Sequence, residues 1–126
     1  MYLVDTNIFL EILLAQEKQK ICKKFLNDNI GKIYISDFSL HSIGVILFKN
    51  NKEKLFQKFV RDIICNAKII ALEDRFYTKL ADIKTTLALD FDDAYQYEIA
   101  KEYNLKIVTM DLHFDKVKKE IKVIFL

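Results

Sequence analysis

The chain has 126 residues, 52% of them hydrophobic and 30% charged, with 20 basic against 18 acidic side chains and a formal net charge of +2. This size and composition predict one globular domain over residues 1–126, with a core that needs no staples. The near-balance of charge excludes a strongly basic nucleic-acid coat and an acidic tail, and still allows a locally basic groove. Charges such as Glu11 and Lys49 interrupt every apolar run before the roughly 18 residues a bilayer demands. The opening Met1-Tyr2-Leu3-Val4-Asp5 has no basic leader, so no signal peptide is expected and the protein reads as cytoplasmic. Cys22 and Cys65 lie in apolar patterns and read as reduced core thiols.

In chain order, Tyr2–Val4 is an apolar run ending at Asp5 and predicts a buried strand. Ile8, Phe9, Ile12 and Leu13 recur at helical spacing, and residues 18–27 continue helically with Ile21, Cys22, Phe25 and Leu26 on one face. Residues 27–31 carry turn chemistry, and residues 32–35 predict a second strand. Ser36 or Asp37 is placed to cap a helix bearing Leu40, Ile43, Ile46 and Leu47. Another helix over about 52–64 turns Leu55, Phe56, Phe59, Val60 and Ile63 inward. Residues 68–72 predict a third strand, and residues 73–87 are weakly helical. A helix over 92–103 offers Ala94, Tyr97 and Ala100 to a sheet, with Asn104 as its left-handed terminator. Lys106–Thr109 and residues 123–126 predict the fourth and fifth strands.

Short apolar strands alternating with helices imply an α/β fold with a mainly parallel sheet. Ligands of such sheets sit beyond the carboxyl ends of the strands, so the residues just past each strand carry the chemistry. Asp5-Thr6-Asn7 comes after the first, Met110-Asp111 after the fourth, and Asp90-Phe91-Asp92-Asp93-Ala94 opens the helix that feeds the fourth. Taken alone, Asp5 or Asp93 is more often a helix cap than a ligand, and Asp90 and Asp92 read as capping or solvated residues. Three acidic points at one sheet end would repel one another and lose hydration unless a cation sits between them. Hard oxygen donors in this number suit Mg²⁺ or Mn²⁺.

Leu3-Val4-Asp5-Thr6-Asn7-Ile8-Phe9-Leu10 resembles the opening of a PIN domain of the VapC toxin type. Asp92-Asp93-Ala94 resembles that family's internal Asp-Ala step, and Ile107-Val108-Thr109-Met110-Asp111-Leu112-His113-Phe114 resembles its strand ending in Thr-x-Asp. The resemblance implies a three-layer α/β/α sandwich whose five-stranded parallel sheet runs in the order 3-2-1-4-5. It implies Mg²⁺- or Mn²⁺-dependent cleavage of single-stranded RNA, with Asp5, Asp93 and Asp111 as catalytic metal ligands and Asn7 and Thr109 supporting them. It also implies a cognate antitoxin that covers the acidic pocket, and a homodimer.

The chain departs from the family pattern at one place. A glutamate is usual on the helix after strand two, and Ser42 stands there. Serine cannot supply the missing charge. His41 is about 100° away around the helix, Asp37 is off the face, and Glu11 reads as a solvated residue of the first helix. The alternative reading is therefore a weakly active or inactive PIN-like domain that binds RNA or a protein. A response-regulator-like domain is disfavoured, because the third strand runs into Ala71-Leu72-Glu73 and not into Asp. Lys49, Lys52, Lys54 and Lys58 form one basic stretch. Lys116, Lys118, Lys119 and Lys122 form another, of which Lys116, Lys118 and Lys119 are the better candidates for RNA phosphates. Tyr95, Tyr97 and Phe114 are read as core residues or as base-stacking ones, and His113 as a surface or turn residue.

Overall fold

The structure is a computed structural model that describes residues 1–126, the side chain of Ile64 excepted. Five strands, β1 (Tyr2–Val4), β2 (Ile33–Ser36), β3 (Lys68–Ile70), β4 (Lys106–Thr109) and β5 (Val123–Phe125), form one sheet in the order β3-β2-β1-β4-β5. All four pairings are parallel, as the alternation of strands and helices requires. In register, Leu3 lies opposite Ile107 and Val4 opposite Val108.

Helices cover both faces, because successive strand residues point to opposite sides. Val4, Val108, Ile33 and Ile35 pack against α1 (Thr6–Leu13), α2 (Gln19–Asp28), α3 (Asp37–Lys49) and α4 (Glu53–Asn66) through Ile8, Cys22, Ile43, Leu47 and Phe59. Leu3 and Ile107 pack on the other face against α5 (Lys79–Leu87), α6 (Phe91–Glu102) and Phe114 and Val117 of the 3₁₀ segment Leu112–Val117. Gly44 of α3 faces the Phe56 ring, which an added Cβ would meet at 3.3 Å, so glycine lets α4 approach. Among the described residues, no helix is long and apolar enough to cross a membrane.

Several details differ from the sequence reading. β3 stops at Ile70, because the N–H of Leu72 turns to the Tyr95 hydroxyl at 3.0 Å and leaves the ladder. The segment predicted as one helix over 73–87 divides into a 3₁₀ turn, Asp74–Phe76, and α5. Ile21 is exposed, whereas Cys22 beside it is buried. Cys65 is not a core thiol: it is exposed, because α4 turns that position to solvent, and both cysteines are free. Tyr95, Tyr97 and Phe114 are buried and belong to the core, so none is free to stack on a base. Asn104 adopts φ 53°, the left-handed conformation expected of the α6 terminator.

Ser36 caps α3, its hydroxyl accepting from the Ser39 N–H at 3.0 Å. Removing this cap in Ser36→Ala is expected to lower stability by about 1 kcal/mol in urea unfolding. An unchanged midpoint would show that the cap contributes nothing.

Candidate metal centre

The predicted acids converge at the carboxyl edge of the sheet. Asp5 follows β1, its N–H held by the Val108 carbonyl at 2.9 Å. Its Oδ1 accepts from the Thr6 N–H at 2.8 Å, which caps α1. Asp111 lies two residues beyond β4, and Asp93 in the first turn of α6, where the helix dipole favours an acid. Asp93, Asp111 and His113 each present one possible ligand atom, all within 4.8 Å of one another. His113 Nδ1 is 3.3 Å from Asp111 Oδ1 and 3.5 Å from Asp93 Oδ2. This histidine, read from sequence as a surface or turn residue, is exposed as expected and yet belongs to the acidic group.

The three carboxylates are satisfied to very different degrees. Asp5 receives three donors: Thr6 N–H, the Thr109 hydroxyl at 2.7 Å and the Gln96 amide at 3.3 Å. Burial pushes its pKa up, the hydrogen bonds from Thr109, Gln96 and Thr6 pull it back, and the charge of Asp111 pushes it up again. Asp111 Oδ1 accepts from the His113 N–H at 2.8 Å. Asp93 is buried, and among the described residues its carboxylate has one possible cationic partner, His113 at 3.5 Å, and no hydrogen-bond donor. Burial first, then the charges of Asp92, Asp111 and Asp5, push its pKa to about 6, and only His113 pulls it back.

Thr109 sets this geometry. A hydroxyl has one hydrogen and two lone pairs. Thr109 Oγ1 accepts from Asn7 Nδ2 at 3.3 Å and from the Asp111 N–H at 2.9 Å. Its hydrogen is therefore left for Asp5 Oδ2, so one hydroxyl ties Asp5 and the Asp111 backbone together. Asn7 Oδ1 in turn accepts from the Met110 N–H at 3.4 Å.

Gln96 is the residue that sequence reasoning missed. It is 2% exposed and donates from Nε2 to Asp5 Oδ1 and, at 2.9 Å, to Ser39 Oγ. Ser39 is also bonded to Thr6 Oγ1 at 2.8 Å and to Ser36 Oγ at 3.1 Å. The one signal in the sequence is that Gln96 lies three residues after Asp93 and so shares its helix face.

Other sequence candidates lie apart from this network. Ser42 makes no side-chain hydrogen bond among the described residues. Glu11 accepts from the Lys18 N–H at 2.8 Å beyond the end of α1, so it does not replace the absent glutamate. Asp37 is engaged by the Tyr95 hydroxyl at 2.7 Å, and His41 is exposed. Asp90 stands at the N-cap of α6 without a side-chain cap bond. Lys116 donates to the Ala88 carbonyl at 3.0 Å, and Lys118 pairs with Asp115 at 2.8 Å.

The fold is a parallel α/β/α sandwich with a carboxylate cluster, able to hold a metal ion, at the end of its central strands. A PIN domain family model matches residues 2–120, and the chain belongs to that family. The same fold is found in a toxin–antitoxin complex from Klebsiella pneumoniae, at TM-score 0.77 and 18% identity over 98% of this chain and 96% of that one. It recurs in VapBC2 from Rickettsia felis bound to a promoter DNA fragment, at TM-score 0.73 and 18% identity over 97% and 96%. Mycobacterium tuberculosis VapC20, a toxin that cleaves the sarcin–ricin loop, matches at TM-score 0.73 and 10% identity over 85% and 87%. A search of curated proteins found no match.

The donor set fits a divalent cation. A carboxylate pushed to about 6 by burial first and by neighbouring negative charge second is relieved by a positive ion, and two carboxylates with an imidazole provide ligands for one.

Proposed function

We propose that this single domain is a divalent-metal-dependent endoribonuclease, the toxin of a type II toxin–antitoxin pair, acting on single-stranded RNA. The observation that carries this reading is the convergence of Asp93, Asp111 and His113 in a chain of the PIN family. Asp93 and Asp111 would hold Mg²⁺ or Mn²⁺ directly, with Asp5 as the third acid. The imidazole of His113 favours Mn²⁺ over Mg²⁺. The bound ion would supply Lewis acidity toward a phosphate oxygen and a lowered pKa for water.

The residues around the ion do the positioning. Thr109 and Asn7 fix Asp5 and the backbone of Asp111, and the first turn of α6 fixes Asp93. Lys119, with Lys116 and Lys118 once released from their local partners, would meet RNA phosphates as point charges. The toxin–antitoxin complexes among the structural relatives support a cognate antitoxin, and the family resemblance adds a homodimer and a cytoplasmic location to the proposal. A neighbouring small gene for a DNA-binding antitoxin would strengthen this.

The test is cleavage of a mixed single-stranded RNA panel in EDTA, Mg²⁺ and Mn²⁺, beside Asp111→Asn. Metal-dependent cleavage that falls at least ~100-fold in the variant is expected. No cleavage in any metal, from folded protein free of antitoxin, would overturn the nuclease reading.

Ser42 favours a second reading, a PIN-like domain that binds RNA or a protein partner with little or no cleavage. The two readings separate in Ser42→Glu. If α3 directs this position to the acidic centre, the added carboxylate tightens Mn²⁺ binding about tenfold in calorimetry. Unchanged affinity would mean that the centre is complete with three acids.

A further inference from the structure

We infer that Gln96 is a positioning residue of the acidic centre: its carboxamide ties Asp5 to Ser39 of α3 and thereby sets how tightly a divalent cation is held. The inference rests on the reading of Asp5, Asp93 and Asp111 as a metal centre, and adds to it the device that links α3 to that centre.

The orientation of the carboxamide is dictated by its partners. An ionised carboxylate only accepts, so the group facing Asp5 must be the amide nitrogen. The two amide hydrogens are then both spent, one on Asp5 Oδ1 at 3.3 Å and one on Ser39 Oγ at 2.9 Å. Neither Glu nor Leu at this position has hydrogens to give to both. The group that α3 is seen to bring to this network is neutral, the Ser39 hydroxyl, and Ser42 stands where the family pattern has an acid. The mechanical tie that a carboxylate on α3 would make through a shared ion runs here through Gln96.

A second observation points to a ligand. Gln96 Oε1 is buried and has no hydrogen-bond partner among the described residues. A buried amide oxygen left empty is costly, and such atoms in native proteins are generally paired. Hydrated Mg²⁺ keeps several of its waters when bound and so brings donors with it. Gln96 is thus both a clamp on Asp5 and an acceptor that metal loading can satisfy.

The experiment is Mn²⁺ titration calorimetry on the metal-stripped full chain, paired with urea unfolding in EDTA. Wild type is compared with Gln96→Leu, Ser39→Ala and the exposed control Thr85→Ala. Gln96→Leu is expected to weaken Mn²⁺ binding 10- to 100-fold. Ser39→Ala frees the amide without touching Asp5, and is expected to act in the same direction by a smaller factor. Thr85→Ala should leave the affinity unchanged. Wild-type affinity in both test variants, with reduced stability in EDTA, would make Gln96 merely structural and overturn the inference while the metal-centre reading stands. If wild type binds no Mn²⁺, both fall together. Should Gln96→Leu fail to fold, unchanged affinity in Ser39→Ala suffices to overturn the inference.

Discussion

Asp93→Asn is expected to reduce metal-dependent RNA cleavage at least ~100-fold and, in the same protein, to raise the stability of the metal-free domain. The two effects have one cause. Asp93 is buried among like charges with a pKa pushed to about 6, against an ordinary value of 3.8. Between these values the folded state holds a proton that the unfolded state releases, so this group's contribution to stability falls as pH rises from about 4 to about 6. Above that range the folded chain carries an unfavourable charge worth about 2 kcal/mol after allowance for solvent at the open mouth of the site. Asparagine removes the charge and the pH dependence together. Urea unfolding in EDTA at pH 5 and pH 7.5 measures both. The variant should gain most at pH 7.5 and about half as much at pH 5, which lies midway between the two values, and a stability loss at both would show that Asp93 is a structural cap.

Asp5→Asn is expected to behave in the opposite way in EDTA, although it too removes an acid. The Thr109 hydroxyl has both lone pairs occupied, by Asn7 and by the Asp111 N–H, and gives its hydrogen to Asp5 Oδ2. An amide nitrogen in place of that oxygen would set donor against donor. With Oδ1 replaced instead, the amide would face Thr6 N–H and Gln96 Nε2. Either orientation leaves a buried donor unpaired, at a cost of about 1–3 kcal/mol. Cleavage should fall as steeply as in Asp93→Asn, now with a lower urea midpoint. Equal stability of wild type and Asp5→Asn in EDTA would mean that the three donors do not define the state of Asp5.

This contrast shows what the residue pattern could and could not convey. The strands were legible where apolar runs meet an acid: β1 spans Tyr2–Val4 as read, and Asp5 comes directly after it. That logic located Asp5, Asp111 and the run from Asp90 to Asp93 as candidates, because each lies past a strand or opens a helix, and the family resemblance singled out Asp93 within the run. It could not rank them, since the difference lies in donors that come from residues 91 and 104 positions away. Gln96 was invisible for the same reason: a glutamine in mid-helix is usually solvated, and only its partners Asp5 and Ser39 distinguish it. His113 was placed on the surface, where it is, but its reach to two carboxylates depends on how the 3₁₀ segment turns after β4. The end of β3 was misjudged because a tertiary partner, Tyr95, takes the N–H that periodicity assigned to the ladder.

The position of β1 in the sheet has a consequence for the birth of the protein. Of the five strands, the one made earliest is the central one, and its partner β4 begins at Lys106. Until that segment has been made, Asp5 lacks Thr109 and one flank of β1 stays open. Closing a loop of 104 residues costs about 4 kcal/mol of chain entropy, so this pairing must form late and together with the core around it. The acidic centre therefore does not exist in any shorter nascent chain, and whatever activity it confers begins only when the sheet is closed.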